Sequence, residues 1–219
     1  MEVLYEDNHI IVAIKPAGVL SQADSSGASD MLTLLKDYIK VKYNKPGNVY
    51  LGLVHRLDRP VSGVMVFART SKAASRLSEQ IRTHKVQKIY HAVVNGTLPE
   101  KKGTLVSYIL KDSKENKVTV YDREVPGSKY AELDYEVVSA KDNMTLVKVF
   151  LKTGRSHQIR SQFAHIGNPL LGDVKYGKGT KDGDLALFCS SMSIDHPVKG
   201  ERMTFEAPIP DKYPFGIFK

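Results

Sequence analysis

The sequence predicts an α+β protein built on a large mixed β-sheet, and three observations lead there. Short apolar runs rich in β-branched residues recur along the chain, three stretches carry amphipathic helix signals, and the two kinds do not alternate strictly as in a doubly wound fold. The runs fall at residues 10–14, 63–67, 89–94, 117–121, 145–151 and 185–189 and read as strands. Residues 130–138 alternate instead: Ala131, Leu133, Tyr135 and Val137 share one side, and Glu132, Asp134 and Glu136 the other. That pattern predicts a half-exposed, antiparallel strand.

The first helix is expected after Asp30, whose carboxylate can accept a backbone N–H of the first turn, with Met31, Leu34, Leu35, Tyr38 and Ile39 on one face. The second follows Thr70 or Ser71 and turns Ala74, Leu77 and Ile81 inward. The third begins near Ser156, buries Ile159, Phe163 and Ile166, and stops at Gly167, with Pro169 just beyond. Loops are expected at 22–29, 43–48, 99–103, 122–128 and 178–184. No strong linker divides the chain, so residues 1–219 read as a single domain.

With 42% apolar residues the chain can bury a core, and 32 Lys and Arg against 24 Asp and Glu leave a net charge of +8. Such a surface attracts polyanions, RNA or DNA above all. The single cysteine, Cys189, rules out an internal disulfide and a Cys-rich zinc site. No signal peptide opens the chain and no apolar run is long enough to span a membrane, which predicts a cytoplasmic protein.

Chemistry concentrates in a few segments. His55-Arg56-Leu57-Asp58-Arg59-Pro60-Val61-Ser62-Gly63 lies between two apolar stretches, in a loop held by core strands. A carboxylate between two arginines is expected to stay ionised, as a nucleophile requires; the same residues could equally form a structural ion pair at a turn. The segment 151–160, Leu-Lys-Thr-Gly-Arg-Ser-His-Gln-Ile-Arg, runs from a strand into a helix start, where backbone N–H groups receive anions. Arg155 can there bind a phosphate or Asp58 itself, while Lys152 and Arg160 are either solvated or in contact with phosphate. Tyr90 opens a strand in the basic segment 85–94 and offers a face for base stacking. The glycines and proline of 167–177 read as a structural turn, with Asp173 a possible turn residue. His9, His84, His165 and His196 show no metal-ligand spacing and read as surface or satisfied structural residues; His55 and His157 suit positioning hydrogen bonds. No metal or cofactor motif is found.

In this order the segments resemble the RluA family of RNA pseudouridine synthases. Lys15-Pro16-Ala17-Gly18-Val19 is similar to its early Lys-Pro-x-Gly segment, His55 to Gly63 to its His-Arg-Leu-Asp signature, Lys88-Ile89-Tyr90 to its Lys-x-Tyr strand, and 151–177 to its Thr-Gly-Arg-x-His-Gln-Ile-Arg through Gly-Asp-x-x-Tyr-Gly run. The resemblance implies a bent, largely antiparallel sheet with a central cleft and flanking helices, an RNA partner (ribosomal or transfer RNA), a monomer, and no cofactor. It implies Asp58 as the catalytic aspartate, Tyr90 as the stacking residue and Arg155 as the partner of Asp58. Arg56 would occupy the space of the flipped base, and Leu57 and Ile159 would form apolar walls. His55, Lys88 and Arg160 complete the expected substrate contacts. Val61 stands where the family has Thr, Leu133 where Thr is frequent, and Ser161-Gln162-Phe163 where Val-His-Leu is common. No appended N-terminal RNA-binding domain is expected, which leaves recognition to the catalytic domain's own basic surface. The alternative is an RNA-binding or RNA-folding protein without catalysis.

Overall fold

A computed structural model describes residues 2–179 and 184–219. In chain order the elements are β1 (Val3–Glu6), β2 (Ile10–Lys15), α1 (Met31–Lys42), β3 (Gly52–Leu53), β4 (Ser62–Ala68), α2 (Ser71–Arg82), β5 (Gln87–Asn95), β6 (Lys102–Asp112), β7 (Lys117–Tyr121), β8 (Lys129–Lys141), β9 (Met144–Leu151), α3 (Gln158–His165), β10 (Leu187–Asp195), β11 (Arg202–Glu206) and a 3₁₀ turn at Phe215–Phe218. The fold is α+β with largely antiparallel pairing. The chain divides into two compact units: Met1–Gln87 with Ser191–Ala207, and Lys88–Ser190 with Pro208–Lys219.

The first unit is centred on β2 and β4, which pair antiparallel from Ile10↔Ala68 to Lys15↔Gly63. β1 adds to β2, β3 pairs with β4, and β11 pairs with the second half of β10. Ile10 through Ala13 and Val64 through Ala68 are fully buried, as expected of apolar runs covered on both faces. Asp30 caps α1 by accepting from Thr33 N at 3.1 Å, and Thr70 caps α2 by accepting from Ala73 N at the same distance. α1 buries Met31, Leu35 and Ile39, whereas Leu34, expected inward, is exposed. In α2, Ala73 and Leu77 are buried; Ala74, one position on, is half-buried.

In the second unit the strand order is β5-β9-β8-β6-β7. β8 alternates as its sequence predicts: Ala131, Leu133 and Tyr135 are buried and Glu132, Asp134 and Glu136 half-exposed. The third helix departs from expectation. It starts at Gln158 behind His157, whose left-handed backbone (φ 52°) gives no side-chain cap. It buries polar Gln158, Arg160, Ser161 and Gln162 along with Ile159 and Phe163, and it leaves Ile166 exposed. Gln162 Nε2 reaches the Leu105 and Ala131 carbonyls and the Ser107 hydroxyl, which offsets part of the cost of burying it, while its buried Oε1 has no partner among the described residues. Of the loops expected from sequence, 99–103 gives way to β6 at Lys102, and 178–184 lies partly outside the described residues.

Candidate active site

The chain leaving β3 carries His55 to Val61 before it enters β4. His55 and Leu57 are buried, Arg56 and Arg59 exposed, and Asp58 half-buried. His55 Nε2 accepts the Val66 backbone N–H at 3.0 Å, which fixes a neutral imidazole with its proton on Nδ1 and ties the loop to β4. The Asp58 carbonyl accepts the Val61 N–H at 3.0 Å and closes the turn.

A second segment of the same unit, the one leaving β2, grips this loop on both sides of Asp58. Ser21 Oγ donates to the Leu57 carbonyl at 2.8 Å and accepts the Leu57 N–H at 3.1 Å. On the other side, the Arg59 carbonyl accepts the Gly18 N–H at 2.9 Å and Lys15 Nζ at 3.0 Å, and Arg59 Nε donates back to the Gly18 carbonyl at 3.0 Å. Gly18 makes this approach with φ 84°, a backbone setting that suits glycine. Lys15 is fully buried and uses its remaining donors on the Val19 carbonyl at 2.6 Å and the Pro16 carbonyl at 3.0 Å. Burial pushes its pKa down to about 8; the Asp58 charge pulls it up and the Arg59 charge pushes it further down.

In the second unit, Tyr90 is buried on β5, opposite Val149 of β9. Lys88 lies two residues earlier, on the same face; burial lowers its pKa and the Cys189 sulfur partly offsets this. The segment after β9 is knotted to β8. Thr153 Oγ1 accepts the Glu132 N–H at 2.8 Å and donates to Gln158 Oε1 at 2.8 Å. Gln158 Nε2 donates to the Glu132 carbonyl at 3.0 Å, and its Oε1 accepts the Arg155 N–H at 3.0 Å. Arg155 Nε donates to the Tyr130 carbonyl at 2.7 Å, so backbone and side chain of Arg155 are both anchored. Its own backbone N–H, one of those expected to receive an anion, is thus taken by a glutamine side chain. Lys152 is exposed and pairs with Asp134 at 3.0 Å.

Arg160 corrects the expectation of a solvated or phosphate-binding side chain. It is buried and forms a two-pronged ion pair with Asp173, Nε to Oδ2 at 2.7 Å and a terminal nitrogen to Oδ1 at 2.8 Å. Asp173 Oδ1 also accepts the N–H groups of Lys175 and Tyr176 at 2.9 and 3.1 Å. Burial raises the Asp173 pKa, but Arg160 and these N–H groups outweigh it and leave the pKa lowered. The Arg160 guanidinium lies 5.3 Å from the centre of the Tyr176 ring, and Tyr176 Oη meets His157 Nδ1 at 2.7 Å and accepts the Val118 N–H at 2.9 Å. The segment 172–177 is thus pinned to α3 and β7 inside one unit. Ile159, expected in a pocket wall, is 5% exposed on the same helix.

Of the two readings open for His196, surface or satisfied structural residue, the structure gives the second: it is buried, with Nε2 donating to Asp7 at 2.8 Å. The sequence does not single out Ser21, and Lys15 stands out only as part of a motif. Lysine at the end of a five-residue apolar run was the available signal; Ser21 offered none. Among the described residues no three His, Cys, Asp or Glu side chains gather as metal ligands, and no helix is long and apolar enough to cross a membrane.

A family model described as RNA pseudouridylate synthase matches residues 9–165. An "Uncharacterized RNA pseudouridine synthase YhcT" of Bacillus subtilis is 35% identical over 214 residues, spanning 96% of this chain and 69% of the relative. "Ribosomal large subunit pseudouridine synthase C" of Buchnera aphidicola is 33% identical (94% and 67%), and "tRNA pseudouridine synthase C" of Yersinia pestis 30% identical (94% and 86%). Among solved structures, "Human RNA Pseudouridylate Synthase Domain Containing 4" superposes with a TM-score of 0.81 over 99% of this chain and 90% of that one, at 22% identity, a likeness of fold.

Proposed function

The chain belongs to the RluA family of RNA pseudouridine synthases, which are RNA isomerases, and from that premise we propose that Asp58 is its catalytic carboxylate and that its substrate is a uridine in structured ribosomal or transfer RNA. The reaction breaks the N1–C1′ bond, turns the uracil and forms a C5–C1′ bond; C5 loses a proton and N1 gains one. Nothing is oxidised and no group is donated, so the side chains suffice. The base must leave its stack before a carboxylate can reach it. In this reading Tyr90 supplies the stacking face, Arg155 the anion-binding guanidinium, and exposed Arg56 the group that fills the space of the flipped base. Leu57 and Ile159, each buried in its own unit, serve as apolar surface for the base. His55 serves by holding the loop, and Lys88 by its positive charge beside Tyr90. We also place the protein in the cytoplasm as a monomer.

One observation carries the reading. Asp58 is half-buried between two exposed arginines, on a turn whose flanking residues are fixed by side chains from a remote segment. That is the preorganisation an attacking carboxylate needs. The test is turnover on ribosomal and transfer RNA isolated from cells lacking this gene, with pseudouridines mapped in each pool. Wild type should restore modification at discrete positions. Asp58→Asn should lose turnover by at least about 10³-fold while binding RNA within a few-fold of wild type. An Asp58→Asn protein that still modifies RNA would sink the assignment. If the wild type binds RNA yet modifies neither pool, the chain acts as an RNA-binding or RNA-folding protein.

A further inference from the structure

We propose that Ser21 is a positioning residue for the catalytic carboxylate; this rests on the assignment of Asp58 above. The Ser21 hydroxyl makes both of its strong hydrogen bonds with one residue, Leu57, donating to its carbonyl at 2.8 Å and accepting its N–H at 3.1 Å. Leu57 precedes Asp58 and lies outside any strand, so this one oxygen replaces the ladder partner that a strand neighbour would provide. Both residues are buried: Ser21 is 5% exposed and Leu57 6%. Water therefore has no ready way to substitute for the hydroxyl. Met65 Sδ, 3.7 Å from Ser21 Oγ, packs the hydroxyl from β4.

The consequence falls on the backbone of Asp58. The peptide before it is fixed by Ser21, and the carbonyl of the residue after it by Lys15 and the Gly18 N–H. Removing the downstream ties would also disturb Lys15, whose buried ammonium must keep its carbonyls. Removing the Ser21 hydroxyl frees one side only and adds no charge. The peptide can then rotate and carry the carboxylate away from its productive position, while residues that contact RNA elsewhere are untouched. A displacement of about 1 Å costs on the order of 100-fold in rate.

The experiment compares wild type, Ser21→Ala, Ser21→Thr and Asp58→Asn under single-turnover conditions with saturating enzyme, alongside RNA affinity and melting temperature. Ser21→Ala should slow the chemical step by about 10- to 100-fold with RNA affinity within twofold. Ser21→Thr, which keeps the hydroxyl, should recover to within about threefold. The proposal is overturned if folded Ser21→Ala turns over within twofold of wild type, if its defect lies in RNA affinity alone, or if Ser21→Thr is as slow as Ser21→Ala. Should Ser21→Ala not fold, Ser21→Cys, close in shape and poor at hydrogen bonding, is held to the same criteria. An inactive Asp58→Asn with a normal Ser21→Ala removes this proposal alone; an active Asp58→Asn removes the functional reading and this proposal together.

Discussion

Each unit buries a cation beside a segment of the candidate site, and the two cations are neutralised differently. Lys15, under the Asp58 loop, gives its three donors to three neutral carbonyls, and its pKa falls to about 8. Arg160, behind the Arg155 segment, meets a buried carboxylate in a two-pronged pair, and the pKa of that carboxylate, Asp173, falls instead. Carbonyl dipoles solvate an ammonium less completely than water does, so desolvation wins at Lys15. A full opposite charge at hydrogen-bond distance outweighs desolvation at Asp173. The ammonium of the first arrangement therefore gives up its proton in mild alkali, and the carboxylate of the second takes one up only in acid.

The largest stability effect should come from breaking the ion pair. Asp173→Asn leaves Arg160 charged, buried and half-satisfied, at a cost of about 3–5 kcal/mol in urea denaturation at neutral pH. Lys15→Met should cost less, about 1–3 kcal/mol, because the three carbonyls lose donors while the desolvation of an ammonium is relieved. Equal losses would erase the contrast. The pH dependence sharpens it. Unfolded Lys15 keeps its proton up to its ordinary pKa near 10.5, while the folded residue releases it near 8. Between these values the unfolded state binds more protons, so the Lys15 contribution to wild-type stability rises with pH, and the gap between wild type and Lys15→Met should widen from pH 8 to pH 10. Asp173 has the same sign in an acid window. Its contribution is complete above the unfolded carboxylate value of 3.8 and is lost as pH falls through its lowered folded value.

A smaller acid effect belongs to His91 of β5, whose Nδ1 meets Ser190 Oγ at 2.9 Å. Burial first, and the charge of Lys148 second, push its pKa down to about 4. The unfolded imidazole takes a proton near 6.5 and the folded one resists until about 4, so the protein should lose stability as pH drops through this window. His91→Gln should flatten that part of the profile; an unchanged slope would place the titration elsewhere.

The same contrast explains what could be read from sequence. Strands such as β2, β4 and β5 announce themselves because their apolar runs are buried on both faces, and the α1 and α2 starts because Asp30 and Thr70 cap locally. β6 is hidden because its residue types do not follow its alternating burial: Ser107 is buried and Val106 exposed. α3 was misjudged for a different reason. Its inward side-chain donors are met by carbonyls and a carboxylate from distant parts of its unit, which no periodicity reveals, and the pair of Arg160 with Asp173 is hidden from the sequence for the same reason. The Asp58 motif was legible as a run of residues. Its clamp was not, because Ser21 and Leu57 lie 36 positions apart and meet only through the fold.

Thr153 gives the comparison its finest test, since its hydroxyl does for the Arg155 segment what Ser21 does for the Asp58 loop. It accepts the Glu132 N–H and donates to Gln158 Oε1. Yet Arg155 has further ties, to Gln158 through its backbone and to the Tyr130 carbonyl through its side chain. Losing one of several ties to the same residue costs the energy of the bond but little of the geometry, whereas the Ser21 hydroxyl holds both the N–H and the carbonyl of Leu57 and its loss gives up both. Thr153→Val should therefore lower stability by about 1 kcal/mol, read by urea denaturation. Its single-turnover rate should fall by less than that of Ser21→Ala. A slower Thr153→Val would mean that the knot on β8 acts as one unit, with the hydroxyl as its keystone.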